Sequence, residues 1–593
     1  MQYFCDSIEA WNKYITKFPE HAHLPLGTKS PAVHFNKSIN SVLIDQCFDS
    51  KTRICFNDSL EKNILEIKER YEESSFNSLY LSLFLQLYVE IQNCIIDGIF
   101  LEKTDFSQPI IVVNAVTGAK EVDEAIASSV PKSISGYQHL ETVSISIPTN
   151  DERSARGASA TSTLQKLKNA GFVGLFNKVA GTIDSSVFQT GGCRIGVLGD
   201  NELQRFVLSN LLLQRVCYKR FDMPDLKAIK IPVEIPHQDI LRENWRFVER
   251  QLNFVKNKTA RELVEKSIRN IFCKQFLEAK RFSALFKHFF NEHSRLTHVL
   301  VPFFKGAKAI GLRDAALRSG VKIFSCQHGV TRELVEKLNF RFMLYETAFS
   351  DGYFTYNPRA KFVTRKFGLN GNRVSVISLK FPHHLQGKYV QKSKVRKNPK
   401  ILYVSTLLNI GNRPNGIQFK SDLDKFNFES LIIDKVLKQS SRKIYYKPYI
   451  AYRFIDKDPL MLLASKCDNI SIVGTHIDLR YIARDFDIFI TSQATSTFAW
   501  LAIENKPLIF IDDDKTSRLD KTVLPDFKKS FFYFDGARKN FYSEIQSFLS
   551  LDLKTIYGQW DEKYANRVAF LEYYCFGSAE SKGKNIKESF QLD

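Results

Sequence analysis

None of the ten cysteines belongs to a C-x-x-C pair, and no Cys/His cluster stands at metal-ligand spacing. That argues against a zinc site and reads as the reduced thiols of a cytoplasmic protein. The first residues do not read as a secretory leader either. The opening MQYFCDSIEAWNKYI carries Asp6 and Glu9 where a leader would be basic and then apolar. Long apolar runs free of polar residues are also absent. The most apolar window, SLYLSLFLQLYVEIQNCIIDGIFL (78–101), is long enough to span a bilayer but contains Gln86, Glu90, Gln92 and Asp97. A charge near a bilayer centre costs about 3 kcal/mol, so the window reads as a buried helix. Acidic residues are in deficit, 64 against 84 Lys and Arg, leaving a formal charge of +20. Such a charge predicts an anionic partner: nucleic acid, an anionic membrane surface or a phosphorylated small molecule. The basic residues are dispersed rather than interleaved with aromatics on one module, and no nucleic-acid motif is present, so nucleic acid is not the expected partner.

What is there is globular. With 593 residues, 44% of them hydrophobic, including 49 Phe and 23 Tyr, the chain suggests two to four domains. Residues 1–105 read as mostly helical, as in SLEKNILEIKERYEE (59–73). From about 106, short apolar runs alternate with helical stretches: 109–116, 142–147, 194–199, 228–235, 297–304 and 322–327. That alternation predicts α/β layers around parallel sheet. The small, polar stretch 151–171 reads as a mobile loop, and GKYVQKSKVRKNPK (387–400), with six Lys/Arg and no acid, as a linker. A second α/β unit follows, with continuous apolar runs at 400–406, 442–449, 469–474, 486–492 and 506–512, as expected of sheet covered on both faces. Two such units leave a cleft lined by strand carboxyl ends, where doubly wound folds bind ligands.

Four strand-end stretches bear on chemistry. IFSCQHGV (323–330) ends an apolar run in Gln327-His328-Gly329, with a helix expected from Thr331. There His328 either faces an anion beside free helix amides or simply bonds a carbonyl. FSDGYFTYNPRAKFVTRKFG (349–368) reads as a strand presenting Tyr356 and Asn357, then a helix. RKIYYKPYIAYRF (442–454) ends a strand in Lys447-Pro448-Tyr449 among Arg442, Lys443 and Arg453, which is either a phosphate site or a solvated basic face. FDIFITSQATSTFAWLAIENKPLIFIDDD (486–514) gathers Thr491, Ser492, Thr495, Ser496 and Thr497 before a helix. Those hydroxyls suit a diphosphate, although capping accounts for one of them. Asp512, Asp513 and Asp514 read as a strand-end turn as readily as a metal site. On the turn of IGVLGDNELQRF (195–206), Asp200 and Glu202 are candidate cleft carboxylates, with Asp200 equally a helix cap.

Taken in order, these stretches resemble the GT-B glycosyltransferases of bacterial surface-polysaccharide assembly, especially the capsule and lipopolysaccharide transferases, Kdo transferases and CDP-glycerol glycerophosphotransferases. The likeness spans roughly residues 295–515. Lys447-Pro448-Tyr449 departs from the Lys-x-His-Pro of those families, and SLKFP (378–382) from their Gly-x-Pro before the linker. The resemblance implies a GT-B-like α/β fold of two Rossmann-like domains facing a cleft. Their ranges would be 106–386 for the acceptor side and 401–560 for the nucleotide-sugar side, with a helical extension at 1–105 and a helical tail at 561–593. It implies metal-independent transfer of a sugar from a CMP-, CDP- or UDP-linked donor, with no further cofactor, to a surface glycan or its lipid-linked precursor. The setting would be the cytoplasm, peripheral to the anionic inner face of the membrane. His328 would be the base or a substrate-contacting group, flanked by Gln327 and Gly329, with Asp200 or Glu202 as a second carboxylate. Lys447, Thr495, Ser496 and Thr497 would hold donor phosphates beside Tyr449 and Ser492, and Glu504 would reach a ribose. A non-catalytic relative that only binds a nucleotide sugar or glycan is the alternative left by the altered Lys447 motif, and a basic nucleic-acid-binding protein is the remoter one.

Overall fold

A computed structural model describes residues 2–73, 78–117, 137–147, 194–222, 238–302, 304–330, 332–335, 346–369, 374–379, 399–405, 421–449, 456–475, 477–492, 494, 496–512, 518–577 and 586–590. The stretches 151–171 and 228–235, and the linker 387–400 apart from its last two residues, lie outside them. Within the described residues the apolar runs form three parallel sheets.

The first sheet contains β1 (Tyr3–Phe4), β2 (Leu26–Thr28), β3 (Ser41–Leu43), β4 (Ile110–Thr117) and β5 (Leu140–Ile147), in the order β3-β2-β1-β4-β5. This corrects two expectations. The first hundred residues are largely helical but also supply three strands, and the runs at 109–116 and 142–147 pair with them rather than opening the next unit. Strands of two or three residues are too short to show an alternating pattern, so helical periodicity dominates that region.

The apolar window at 78–101 forms the helices Ser78–Glu90 and Gln92–Leu101. By length and composition Leu79–Leu101 is able to cross a membrane, yet 78% of its most apolar stretch is buried inside the protein. Its polar residues have partners there. Gln86 Oε1 accepts the Gly306 N–H at 2.8 Å, Asp97 lies 2.8 Å from the Lys29 ammonium, and Glu90 pairs with Lys305 at 3.1 Å. The 35-residue helix Lys258–Glu292 packs against this pair, burying Val264, Ile268, Phe272, Phe276 and Ala279 in one stripe. It crosses the helix Gly306–Ser319 at Gly311, where a Cβ would stand 2.7 Å from Ser283 N and 2.8 Å from Ala279 O. Only glycine permits that approach.

The second sheet holds β6 (Ile195–Leu198), β7 (Tyr218–Phe221), β8 (His298–Val301), β9 (Lys322–Cys326), β10 (Gly352–Thr355) and β11 (Ser375–Ser378), in the order β11-β10-β9-β8-β6-β7. The third holds β12 (Ile401–Val404), β13 (Ile444–Lys447), β14 (Ile470–Ile472), β15 (Ile488–Thr491), β16 (Leu508–Asp512) and β17 (Phe532–Asp535), in the order β14-β13-β12-β15-β16-β17. These are the two Rossmann-like units of the GT-B-like layout. Strands β8, β12, β15 and β16 are buried along their whole length, which is why they read as unbroken apolar runs. The strand order reverses between β12 and β15 in one sheet and between β6 and β8 in the other. Such switch points are where open α/β sheets leave a crevice at their carboxyl edge.

The chain end ties the units together. Lys587 N donates to Gln214 Oε1 at 3.0 Å, and Phe590 packs against His298, Phe324 and Phe354 of the second sheet. Eight described cysteines are free, but Cys217 is disulfide-bonded, which corrects the expectation of reduced thiols throughout.

Candidate active site

A cavity of about 290 Å³ opens between the second and third sheets at their carboxyl edges. From the second come Glu202 after β6, His328, Gly329 and Val330 after β9, and Tyr356 after β10. From the third come Val404 and Ser405 at the end of β12, Lys447, Pro448 and Tyr449 at the end of β13, the turn 478–480 after β14, and Ser496, Thr497 and Trp500 after β15. Residues far apart in the chain thus meet because each follows a strand of a parallel sheet.

Lys447 is the most buried charge of the cavity. Its residue is 3% exposed, its ammonium donates to the Pro448 carbonyl at 3.0 Å, and no carboxylate among the described residues pairs with it. Burial draws its pKa down to about 8, with Asp478 acting weakly in the other direction. Gly474, at φ +62°, makes room for the lysine stem: a Cβ there would stand 3.0 Å from Lys447 Cδ and 2.7 Å from Ile482 Cδ1. Arg442 and Lys443 precede β13 and so sit at its opposite end. Arg442 donates to Leu551 O at 2.6 Å, and Arg453 lies outside the described residues. Of the basic cluster read from the sequence, Lys447 is the member that the structure places at the cavity.

The mouth is bridged by a group the sequence reading missed. Arg480 grips Asp478 through Nε and Nη2 at 3.0 and 3.1 Å, and reaches across to Glu202 Oε2 with Nη1 at 2.8 Å. Its guanidinium lies 5.3 Å from the Trp500 ring centre. Burial works against the Asp478 carboxylate, but the two-point Arg480 contact more than offsets this and holds it below its ordinary range. Burial leaves Glu202 above its ordinary range despite the same arginine. The signal for Arg480 was its place in a strand-end turn, THIDLRY (475–481), but only folding brings it to Glu202.

The other expected residues divide. His328 is exposed into the cleft, and its backbone N–H donates to Glu346 Oε1 at 3.4 Å. A short 3-10 turn over Arg332–Leu334 follows it where an α-helix from 331 was expected, with Thr331 outside the described residues. Gln327 does not line the cavity: it is fully buried beneath His328. Asp200 forms an exposed ion pair with Arg205 at 2.8 Å, away from the cavity lining, while the helix Glu202–Leu213 is capped by Asn201, whose Oδ1 accepts the Gln204 N–H at 2.7 Å. Ser492 and Glu504 are buried and do not line the cavity, and Thr495 lies outside the described residues. The helix after the Ser/Thr cluster is only Ser496–Ala502. Asp512 is consumed structurally, accepting from the Tyr533 hydroxyl at 2.8 Å and from Leu519 N at 3.3 Å, with Asp513 and Asp514 outside the described residues. Among the described residues no group of three His, Cys, Asp or Glu is placed to hold a metal.

No family model and no curated protein matches the chain. Solved structures superpose distantly. MurG of Acinetobacter baumannii is 12% identical with a TM-score of 0.35, over 67% of this chain and 99% of its own. A glycosyltransferase from Rickettsia africae is 10% identical with a TM-score of 0.36, over 68% and 97%. The UDP-GlcNAc 2-epimerase of Methanocaldococcus jannaschii is 10% identical with a TM-score of 0.34, over 63% and 99%. At these scores the likeness assigns no activity, and the chemistry has to be read from the cavity itself.

A larger cavity, about 920 Å³, lies at the carboxyl edge of β1 and β2 against the helix Pro459–Ala464. The helix amide there is already satisfied from within, since Ile8 N donates to both Asp456 oxygens at 3.1 and 3.2 Å. The smaller cavity is the better candidate because it combines a buried ammonium, paired with no carboxylate among the described residues, with an accessible imidazole. Such a pair is able to stabilise a leaving phosphate and accept a proton.

Proposed function

We propose that the chain is a glycosyltransferase that takes a sugar from a CMP-, CDP- or UDP-linked donor and passes it to a bacterial surface glycan or its lipid-linked precursor. The observation that carries this reading is Lys447: a buried ammonium at the carboxyl end of β13, beside the strand that borders the switch point, with no carboxylate among the described residues paired to it, in a cavity it shares with His328. Holding a charge in such a place is unfavourable unless an anion arrives. In this reading Lys447, Ser496 and Thr497 hold the donor diphosphate and Tyr449 borders it; Glu504, buried away from the cavity, has no part in it. His328 removes the proton from the acceptor hydroxyl, with Glu202 as the second carboxylate of the cleft. The charge of +20 supports a peripheral position at an anionic cytoplasmic membrane face. The Cys217 disulfide sits least well with a reducing compartment.

Thermal-shift measurements with CMP, CDP, UDP and GDP test the donor site. One nucleotide should stabilise the protein by about 2.7 kcal/mol at a hundred times its Kd. No shift with any of them, together with tight salt-sensitive DNA binding, would replace the enzyme reading. His328→Ala should abolish transfer and leave the nucleotide shift intact. Nucleotide binding without transfer in the wild type would favour the non-catalytic alternative.

A further inference from the structure

Beneath His328 lies a buried polar clamp whose hydrogen-bond directions are fully determined. Gln327, which carries the peptide leading into His328, accepts the Tyr356 backbone N–H on Oε1 at 2.9 Å and donates from Nε2 to Glu333 Oε1. Asn357 accepts the Ala360 N–H on Oδ1 at 3.0 Å and donates from Nδ2 to Glu333 Oε2 at 3.2 Å. A backbone N–H can only donate, so it fixes the oxygen end of each amide. Both amides therefore turn their NH2 groups toward Glu333, and both Glu333 oxygens must accept. That is the pattern of an ionised carboxylate.

The side chain is nevertheless 0% exposed, no Lys or Arg among the described residues pairs with it, and Glu346 adds a like charge nearby. Burial raises its pKa to about 7. A buried, uncompensated carboxylate is expensive for a fold, and core packing alone does not call for one. The clamp's other ends are informative: Gln327 precedes His328, and the Tyr356 whose N–H it binds lines the same cavity.

We propose that Glu333 is a positioning residue of the active site: its carboxylate holds the amides of Gln327 and Asn357, and so sets the strand ends that present His328 and Tyr356 to the cleft. This rests on the reading of the cleft as a transfer site.

The test is a hydrogen-bond swap. Glu333→Gln puts an NH2 against an NH2 whichever way the new amide turns, so one of the two links breaks. Combining it with Gln327→Glu restores every pair: the carboxylate introduced at 327 accepts from Tyr356 N–H and from the new amide, whose oxygen accepts from Asn357. Gln327→Glu alone sets two carboxylates face to face. Two readouts apply to the full chain. Amide hydrogen exchange across 352–360 should quicken at least tenfold in each single variant and return to the wild-type rate in the double. With a nucleotide-sugar donor, kcat should fall at least tenfold in Glu333→Gln with KM within twofold, and recover to within threefold in the double variant. Unchanged exchange in Glu333→Gln, a double variant no better than the worse single, or a double variant that does not fold would overturn the clamp. Exchange that quickens in the single variants and recovers in the double, alongside a wild type that shows no transfer on any donor, would instead overturn the proposed function and leave the clamp standing.

Discussion

Replacing Lys447 by methionine removes the ammonium while keeping a flexible stem of similar length over Gly474. Burial has taken this lysine from an ordinary 10.5 to about 8. At about 1.36 kcal/mol per pH unit, that corresponds to roughly 3 kcal/mol of unfavourable charge burial in the empty site. The folded value lies below the unfolded one, so between about pH 8 and 10.4 the unfolded chain keeps a proton that the folded chain has lost, and the contribution to stability rises with pH through that window. Lys447→Met should therefore leave the empty protein as stable as the wild type at pH 7, or more stable. The loss should appear on binding. A charge-assisted hydrogen bond to phosphate is worth about 1.5–3 kcal/mol, so Kd for the nucleotide diphosphate should rise roughly 10- to 150-fold. In the wild type, affinity should fall as pH rises through about 8, because the neutral amine must first take up a proton. Calorimetric titrations at pH 7 and pH 9, in buffers of differing ionisation enthalpy, read both effects. A variant that binds within twofold of wild type, or an empty variant several kcal/mol less stable, would refute the argument that this charge waits for an anion.

Three further predictions follow from the same geometry. Gly474→Ala forces a left-handed residue and presses on Ile482 and the Lys447 stem; denaturant unfolding should show a loss of about 1–2 kcal/mol, with weaker nucleotide binding alongside. Glu202→Gln removes a bridge whose side chains are 40% and 34% exposed, so stability at pH 7 should change by less than about 1 kcal/mol; a loss above 3 kcal/mol would mean that the bridge itself holds the two units together. Thiol titration of the denatured, unreduced protein should count eight free cysteines of the ten in the sequence; ten would remove the Cys217 disulfide and the objection to a reducing compartment.

The buried parallel strands were legible because a strand covered on both faces must be apolar at every position, as IFIT at 488–491 and LIFID at 508–512 are. Strands β1 to β3 were not, because two or three residues carry no period. The same limit applied to charges. Arg442, Lys443 and Lys447 look alike in sequence, yet β13 carries the first two at one end and the third into the cavity at the other. Asp200 and Glu202 are two residues apart, and the turn sends one to Arg205 on the surface and the other to Arg480 across the cleft.

By itself the sequence determined the repeated strand–helix layout, and with it the rule that site residues lie just after strands. Both depend on local apolar pattern and chain direction. Tertiary structure alone decided which strand ends meet, which lysine is stripped of water, and that Glu333 meets two amide NH2 groups beneath His328. Those depend on neighbours far apart in the chain: Gln327, Asn357 and Tyr356 for the glutamate, Gly474 and Pro448 for the lysine. Desolvation and hydrogen-bond direction are properties of the surroundings, and the surroundings exist only once the sheets are assembled.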